Sequence, residues 1–275
     1  YLDCEGSVKR TGPSEHVGLH TGVLQTKPLI LAFILSLVPA AHAGQMKSRD
    51  GAIPGLVSLW HFNEGAGTLA ADSHDRNNPG TLNGTATFAR GLFSSCVRIG
   101  GAATSDRVNI PDSPNLQPAT MSAGCWIKSQ VPTFSGLAFA LMAKRITGGI
   151  SWALEQNVIV GGTQSIFFSL SVIGNRSILG VKILSDMKWH FVVCTYDLFR
   201  PKLYIDGKLD SVGADTAAIN YTLPGDLVIG SYATDGAGGT VFPGLIDEAF
   251  VFNRAISSAE VALMYQEGLG AHPVD

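Results

Sequence analysis

Residues 189–209 read Trp189-His-Phe-Val-Val-Cys-Thr-Tyr-Asp-Leu-Phe-Arg-Pro-Lys-Leu-Tyr-Ile-Asp-Gly-Lys-Leu209. In an extended chain successive side chains take opposite faces. Trp189, Phe191, Val193 and Thr195 would face one way, and His190, Val192, Cys194 and Tyr196 the other. Nearly every one is apolar, so this strand is expected deep inside a sheet. After a loop, Leu203 and Ile205 alternate with Lys202, Tyr204 and Asp206, the pattern of a half-buried strand. Asp206-Gly207 then fits a two-residue hairpin of the primed type, which needs positive φ at both central residues. Three successive antiparallel strands are predicted from this one segment.

Working outward, short strands are expected at Leu56–Phe62, Ala86–Phe88, Ser95–Ile99, Arg107–Ile110, Met121–Lys128, Leu137–Lys144, Ser151–Gln156, Ser165–Val172, Ile178–Leu184, Leu227–Ser231 and Leu245–Asn253. Gly, Asn and Pro separate them, which predicts a sandwich instead of alternating β-α units. One helix is expected over Ser258–Glu267. Ser257 and Glu260 form a capping box, Val261, Met264 and Tyr265 give an apolar stripe, and Gly268 is the stop. The fold class is therefore all-β, a two-sheet antiparallel sandwich with one short C-terminal helix.

Of the 275 residues, 45% are hydrophobic and 15% charged, with 32 Gly and a net charge of -3. No block of like charge occurs, which argues against nucleic acid as a partner, since phosphate binding needs a clustered basic surface. Leu29–Val38 is an apolar run after Lys27, followed by small residues at Ala41 and Ala43. That pattern predicts a secretory leader over 23–43, cleaved before Gly44; it is too short for a membrane span, which takes about 20 residues. Residues 1–22 read as upstream sequence, 44–52 as a polar lead-in, and 53–270 as one domain. The protein is expected outside the cell or in its envelope.

Four segments, in order, resemble the LamG-like jelly-roll domains of the concanavalin A-like lectin/glucanase superfamily. They are the opening segment, Leu56-Val-Ser-Leu-Trp-His-Phe-Asn-Glu-Gly-Ala-Gly67, Val108-Asn-Ile-Pro-Asp-Ser-Pro-Asn-Leu116 and Gly244-Leu-Ile-Asp-Glu-Ala-Phe-Val-Phe-Asn-Arg-Ala-Ile256. The resemblance implies a jelly roll whose first and last strands are neighbours. It also implies a structural Ca2+ at Asp72 and Asn78, joined by Asp247 and Glu64, because some relatives bind calcium in this loop. Calcium takes six to eight oxygens and accepts such mixed ligands. Arg76 neutralising the acids is the competing reading.

Catalytic residues are not found. Glycosidases of this superfamily set two acids on one strand face, as in E-x-D-x-x-E, and retaining chemistry places the carboxyls about 5–5.5 Å apart. Here Asp247 and Glu248 are adjacent, so a regular strand would send them to opposite faces. His61, His74 and His190 belong to no recognisable ligand cluster; His190 reads as structural. Cys96, Cys125 and Cys194 allow one disulfide at most, Cys125 with Cys194 being the pair to test, against the plainer reading of small buried thiols. Trp60, Trp126 and Trp189 read as core. Trp152, Tyr232, Phe199 and Arg200 are the candidate ligand-binding residues, with Phe199 either at an exposed loop tip or folded back. A secreted, non-catalytic module binding a glycan or an extracellular protein ligand is the expectation. A divergent glycoside hydrolase-like protein and a purely structural envelope domain are the alternatives.

Overall fold

The computed structural model describes residues 53–75, 77–100, 105–130, 138–146, 149–158, 164–170, 176–184, 186–214, 217–232 and 241–269. The expected leader, the residues around it and Arg76 lie outside these. Two antiparallel eight-stranded sheets make the fold, with strands numbered in chain order. The first sheet runs β14 (Lys208–Val212), β13 (Pro201–Ile205), β12 (Trp189–Tyr196), β7 (Met121–Ser129), β16 (Gly244–Phe252), β5 (Ser95–Ile99) and β4 (Thr87–Arg90). β1 (Leu56–Trp60) pairs with β16, so the first and last strands are indeed neighbours. The second sheet runs β11 (Arg176–Leu179), β10 (Gln164–Leu170), β9 (Gly149–Val158), β8 (Phe139–Ile146), β15 (Leu227–Ile229), β6 (Arg107–Ile110), β3 (Gly80–Asn83) and β2 (Leu69–Ala70).

The two-sided apolar pattern of β12 explains its place between β13 and β7. Val192, Cys194 and Tyr196 enter the core between the sheets, with Trp60, Trp152 and Phe168. Phe191 and Val193 face outward and join Trp126, Phe250 and Phe252 in a second apolar layer. Helix α1 (Ser258–Leu269) covers that layer with Val261, Met264 and Tyr265, the Tyr265 ring stacked 5.6 Å from Trp126. Burying each large side chain contributes roughly 1.5–3 kcal/mol. The helix starts as expected: Glu260 N–H donates to Ser257 Oγ at 3.2 Å and Ser257 N–H to Glu260 Oε2 at 2.7 Å. The bond from Arg254, more than any other contact, pushes the Glu260 carboxyl down to about 2.

The hairpin after β13 has φ of 51° at Asp206 and 75° at Gly207, the type I′ geometry expected of Asp-Gly. A Cβ on Gly207 would also lie 2.9 Å from Tyr265, so the glycine is needed twice over.

Several expectations need correction. β2 and β3 carry no alternation long enough to read in the sequence. The strand expected over Ile178–Leu184 is a strand only to Leu179. Beyond it the chain lies along β14, where Val181 and Lys182 N–H donate to the Asp210 carboxylate at 2.6 and 2.9 Å. Asp247 and Glu248 do not take opposite faces. A β-bulge, with Glu248 at φ 49°, leaves Ile246 and Ala249 both in the inter-sheet core and puts the two acids between them on the outer side. Cys96, Cys125 and Cys194 are free, buried thiols, so the Cys125–Cys194 bridge is not formed.

Candidate functional site

Helix α1 seals the outer face of the first sheet, whereas the outer face of the second sheet carries hydrogen-bonding groups. On β9, Trp152 and Leu154 point into the core, which leaves Ser151, Ala153 and Glu155 on the outside. Glu155 stands between Ala140 of β8 and Phe167 of β10. Tyr232, just past β15, lies over a floor of Ala140, Ala143 and Ala153. The Glu155 carboxyl is hydrogen-bonded to the hydroxyls of Tyr232 and Ser169, and the Arg145 guanidinium lies beside Tyr232. Burial raises the Glu155 pKa, against the pull of those two hydrogen bonds, and raises that of Tyr232 further.

Among the described residues, the buried polar atoms on this face without a hydrogen-bond partner include Ser151 Oγ, Arg145 Nε and Asn109 Oδ1. Strand register sets them in a band across four strands, because Asn109 is level with Ala143 through Val228, and Ala143 pairs with Ala153. Buried groups of this kind cost stability unless something bonds them. A carboxyl, a guanidinium, a phenol and hydroxyls over a floor of alanines can bind a polyol by donating and accepting at once.

Of the expected ligand-binding residues, Tyr232 belongs to this cluster. Trp152 does not: it is 1% exposed and turned into the core on the opposite side of β9. Phe199 and Arg200 sit in the β12–β13 loop, where both N–H groups donate to Asp197 Oδ1, and Phe199 stands 68% exposed. Glu155, Arg145, Ser151 and Asn109 were not anticipated from the sequence. The available signal was Ser151-Trp-Ala-Leu-Glu155, where the alternation leaves Ser, Ala and Glu on the face away from Trp and Leu.

The expected calcium ligands make hydrogen bonds within the chain, although Asn78 Oδ1 and Asp247 Oδ1 have no partner among the described residues. Asp72 accepts N–H bonds from Leu59 at 3.2 Å, His74 at 3.1 Å and Asn78 at 3.3 Å, which ties its loop to β1. Asn78 Nδ2 donates to Ser58 Oγ at 2.7 Å, and Glu64 accepts from Ala71 N–H at 2.7 Å. Asp247 Oδ2 accepts from Leu92 and Phe93 N–H, at 2.9 and 3.1 Å. Among the described residues no three His, Cys, Asp or Glu side chains gather in a group able to hold a metal. The bulged acid pair is buried as well. Glu248 lies 2.7 Å from His61 Nδ1, and burial followed by the Glu248 charge raises the Asp247 pKa well above its ordinary value. Neither acid is open to a substrate.

A family model described as Laminin_G_3, concanavalin A-like lectin/glucanases superfamily, matches residues 101–262, more than half of the chain. The chain belongs to that superfamily. This superfamily chain is similar in structure to domain 4 of AbnA, a GH43 extracellular arabinanase from Geobacillus stearothermophilus, solved in complex with arabinotriose. The TM-score is 0.57 at 17% identity, covering 77% of this chain and 98% of that one. It is also similar to the binding domain of Paraclostridial Mosquitocidal Protein 1, with TM-score 0.59, 12% identity, and 77% and 52% of the two chains covered. The third is botulinum neurotoxin type C, whose cell entry depends on interaction with two ganglioside molecules, at TM-score 0.59, 14% identity and 77% and 51% coverage. This chain thus spans about half the length of the toxin structures it matches. No curated protein sequence matches it. At these identities the likeness extends to the fold alone.

Proposed function

We propose that this superfamily member is a non-catalytic binding module that takes carbohydrate on the outer face of its second sheet, at Glu155, Tyr232 and Arg145. The observation that carries this reading is the set of unpaired buried atoms around them, Ser151 Oγ, Arg145 Nε and Asn109 Oδ1. Sugar hydroxyls both donate and accept, so an oligosaccharide lying across β9, β8, β15 and β6 can bond all three kinds of group. The structural likeness to a domain bound to arabinotriose supports a glycan ligand. Hydrolysis needs two carboxyls flanking the bond; this cluster contains one, and the bulged pair is buried under the other sheet's outer layer.

Export through a leader at 23–43, with the mature chain starting at Gly44, belongs to the same reading. Amino-terminal sequencing of secreted material tests it, and a start at Tyr1 would refute it. A structural calcium ion at Asp72 and Asn78 belongs to the same reading: the Asp72 oxygens accept three N–H bonds and keep a lone pair, and Asn78 Oδ1 has no hydrogen-bond partner among the described residues. It predicts a rise of several degrees in Tm with millimolar calcium over EDTA, abolished by Asp72→Ala, and identical Tm in both buffers would refute it.

A glycan array identifies the sugar. Calorimetry with the hit should then show Tyr232→Phe weakening binding about tenfold, the worth of one buried hydrogen bond. Unchanged affinity in both Tyr232→Phe and Glu155→Gln would place the site elsewhere.

A further inference from the structure

The outer face of the second sheet holds two arginines without a counter-ion. Val108 and Ile110 of β6 point into the core, so Arg107 and Asn109 face outward, on the same side as Glu155, Tyr232 and Arg145. Arg107 is buried; its Nη1 donates to the Ser105 carbonyl at 2.9 Å, and its Nε has no partner among the described residues. Arg145 is half-buried and its Nε is unpartnered there too. Among the described residues neither guanidinium has an ion-pair partner, whereas Lys144, Lys182, Lys202 and Arg254 each do. The acids around the two arginines are committed elsewhere. Asp226 is level with Arg145, whose N–H its carbonyl accepts at 2.9 Å, yet its carboxylate turns onto Asn109 Nδ2 at 2.8 Å and the Asp112 N–H at 2.9 Å. Asp112 holds Lys144 and Gln117, and Asp106 holds the Thr85 N–H and hydroxyl. Glu155 is bonded to Tyr232 and Ser169.

A guanidinium held partly out of water without a counter-ion is costly, and burial acts against the Arg145 charge. A ligand that brings its own carboxylate removes that cost. The planar fork of arginine takes a carboxylate through two parallel N–H···O bonds, a match that a single hydroxyl does not offer. Strand register puts Arg107 and Arg145 on either side of the row formed by Asn109, Val228 and Ala143. Their Cα atoms are therefore about 13 Å apart along the strands and about 10 Å apart across β15. Positive charge thus extends over a length that suits an oligosaccharide better than a single ring. We propose that this face takes a carboxylated glycan, one carrying uronic or sialic acid residues, with Arg145 gripping the sugar carboxylate and Arg107 holding positive charge behind it. The inference rests on the glycan reading above and adds the class of sugar.

Calorimetry on the full chain tests it with sugars that differ only in the acid: tetragalacturonate and its methyl ester, 3′-sialyllactose and its methyl ester, and 3′-sulfolactose as an anion without a carboxylate. In at least one pair the acid should bind at least about tenfold more tightly than its ester, the worth of one charged hydrogen bond. Which pair does so tells uronate from sialate, and the advantage should fall as salt rises. Arg145→Gln should bring the acid-to-ester ratio close to one. Arg145→Lys, which keeps the charge without the fork, should fall between. Tyr232→Phe should weaken acid and ester alike, and an unchanged Tm confirms that the variants fold. Esters bound as tightly as acids, and weakened by Tyr232→Phe, would overturn the inference and leave the glycan reading standing. Binding of none of these sugars beside a neutral array hit would do the same. Sulfolactose bound as tightly as the carboxylates would overturn it in favour of any anion. Sugars bound with no loss in either Tyr232→Phe or Glu155→Gln would overturn both readings.

Discussion

His190 Nδ1 lies 2.9 Å from Asp206 Oδ2, while its Nε2 lies 2.8 Å from Asp186 Oδ1. Only the protonated ring has an N–H for each carboxylate, so the cation is the form this pocket holds. Burial by itself would lower the His190 pKa, but the bonds to Asp206 and Asp186 outweigh it and raise the value. Burial would likewise raise both aspartates, yet the bonds from His190, with Lys182 at Asp206, keep them low.

The pH dependence follows. A raised histidine contributes fully below its unfolded value of about 6.5 and loses that contribution as pH rises through its folded value. A lowered aspartate contributes above about 3.9 and loses it as pH falls through its folded value. The contribution of this cluster to Tm should therefore be greatest between about pH 4 and 6.5 and decline on both sides. His190→Gln should flatten the alkaline decline; a mutant whose alkaline decline matches that of the wild type would show that another group titrates.

The three described thiols should be silent in the folded protein. Burial, then the Asp247 charge, pushes Cys96 up to about 12, and burial raises Cys125 and Cys194 further. The thiolate is the reactive form, so a thiol reagent at neutral pH should label none of them until denaturant is added. Fast labelling of the native protein, or a Cys125–Cys194 disulfide in mass spectra, would contradict the structure.

Ser257→Ala should cost about 1 kcal/mol, the usual worth of an N-cap. Since α1 covers Trp126, the same change should shift tryptophan emission to the red during early unfolding. Emission that moves only with global unfolding would mean the helix is held by packing alone.

How far the sequence could be read depended on how regular each element is. β12 was legible because eight residues alternate with both faces apolar, and the Asp206-Gly207 turn because its φ angles select those residues. The capping box located α1 within a residue at its start. The Asp247–Glu248 bulge was not legible, since strict alternation is the assumption that a bulge breaks. Gly80–Asn83 is too short and too polar to stand out, although Leu82 is buried by its neighbours. For the site, Tyr232 was legible as an aromatic outside the family pattern. Glu155 was not: its meaning comes from Tyr232, Ser169 and Arg145, which are distant in sequence and brought close only by sheet pairing.

The proposed glycan occupies the outer face of the second sheet. The most direct test is backbone amide chemical-shift mapping by NMR as the array-selected oligosaccharide is added. The account predicts that the largest shifts fall on β8, β9, Ser169 and Tyr232, and vanish in Glu155→Gln. Shifts confined to the Phe199–Arg200 loop or to the Asp72 loop, with β9 unmoved, would contradict it.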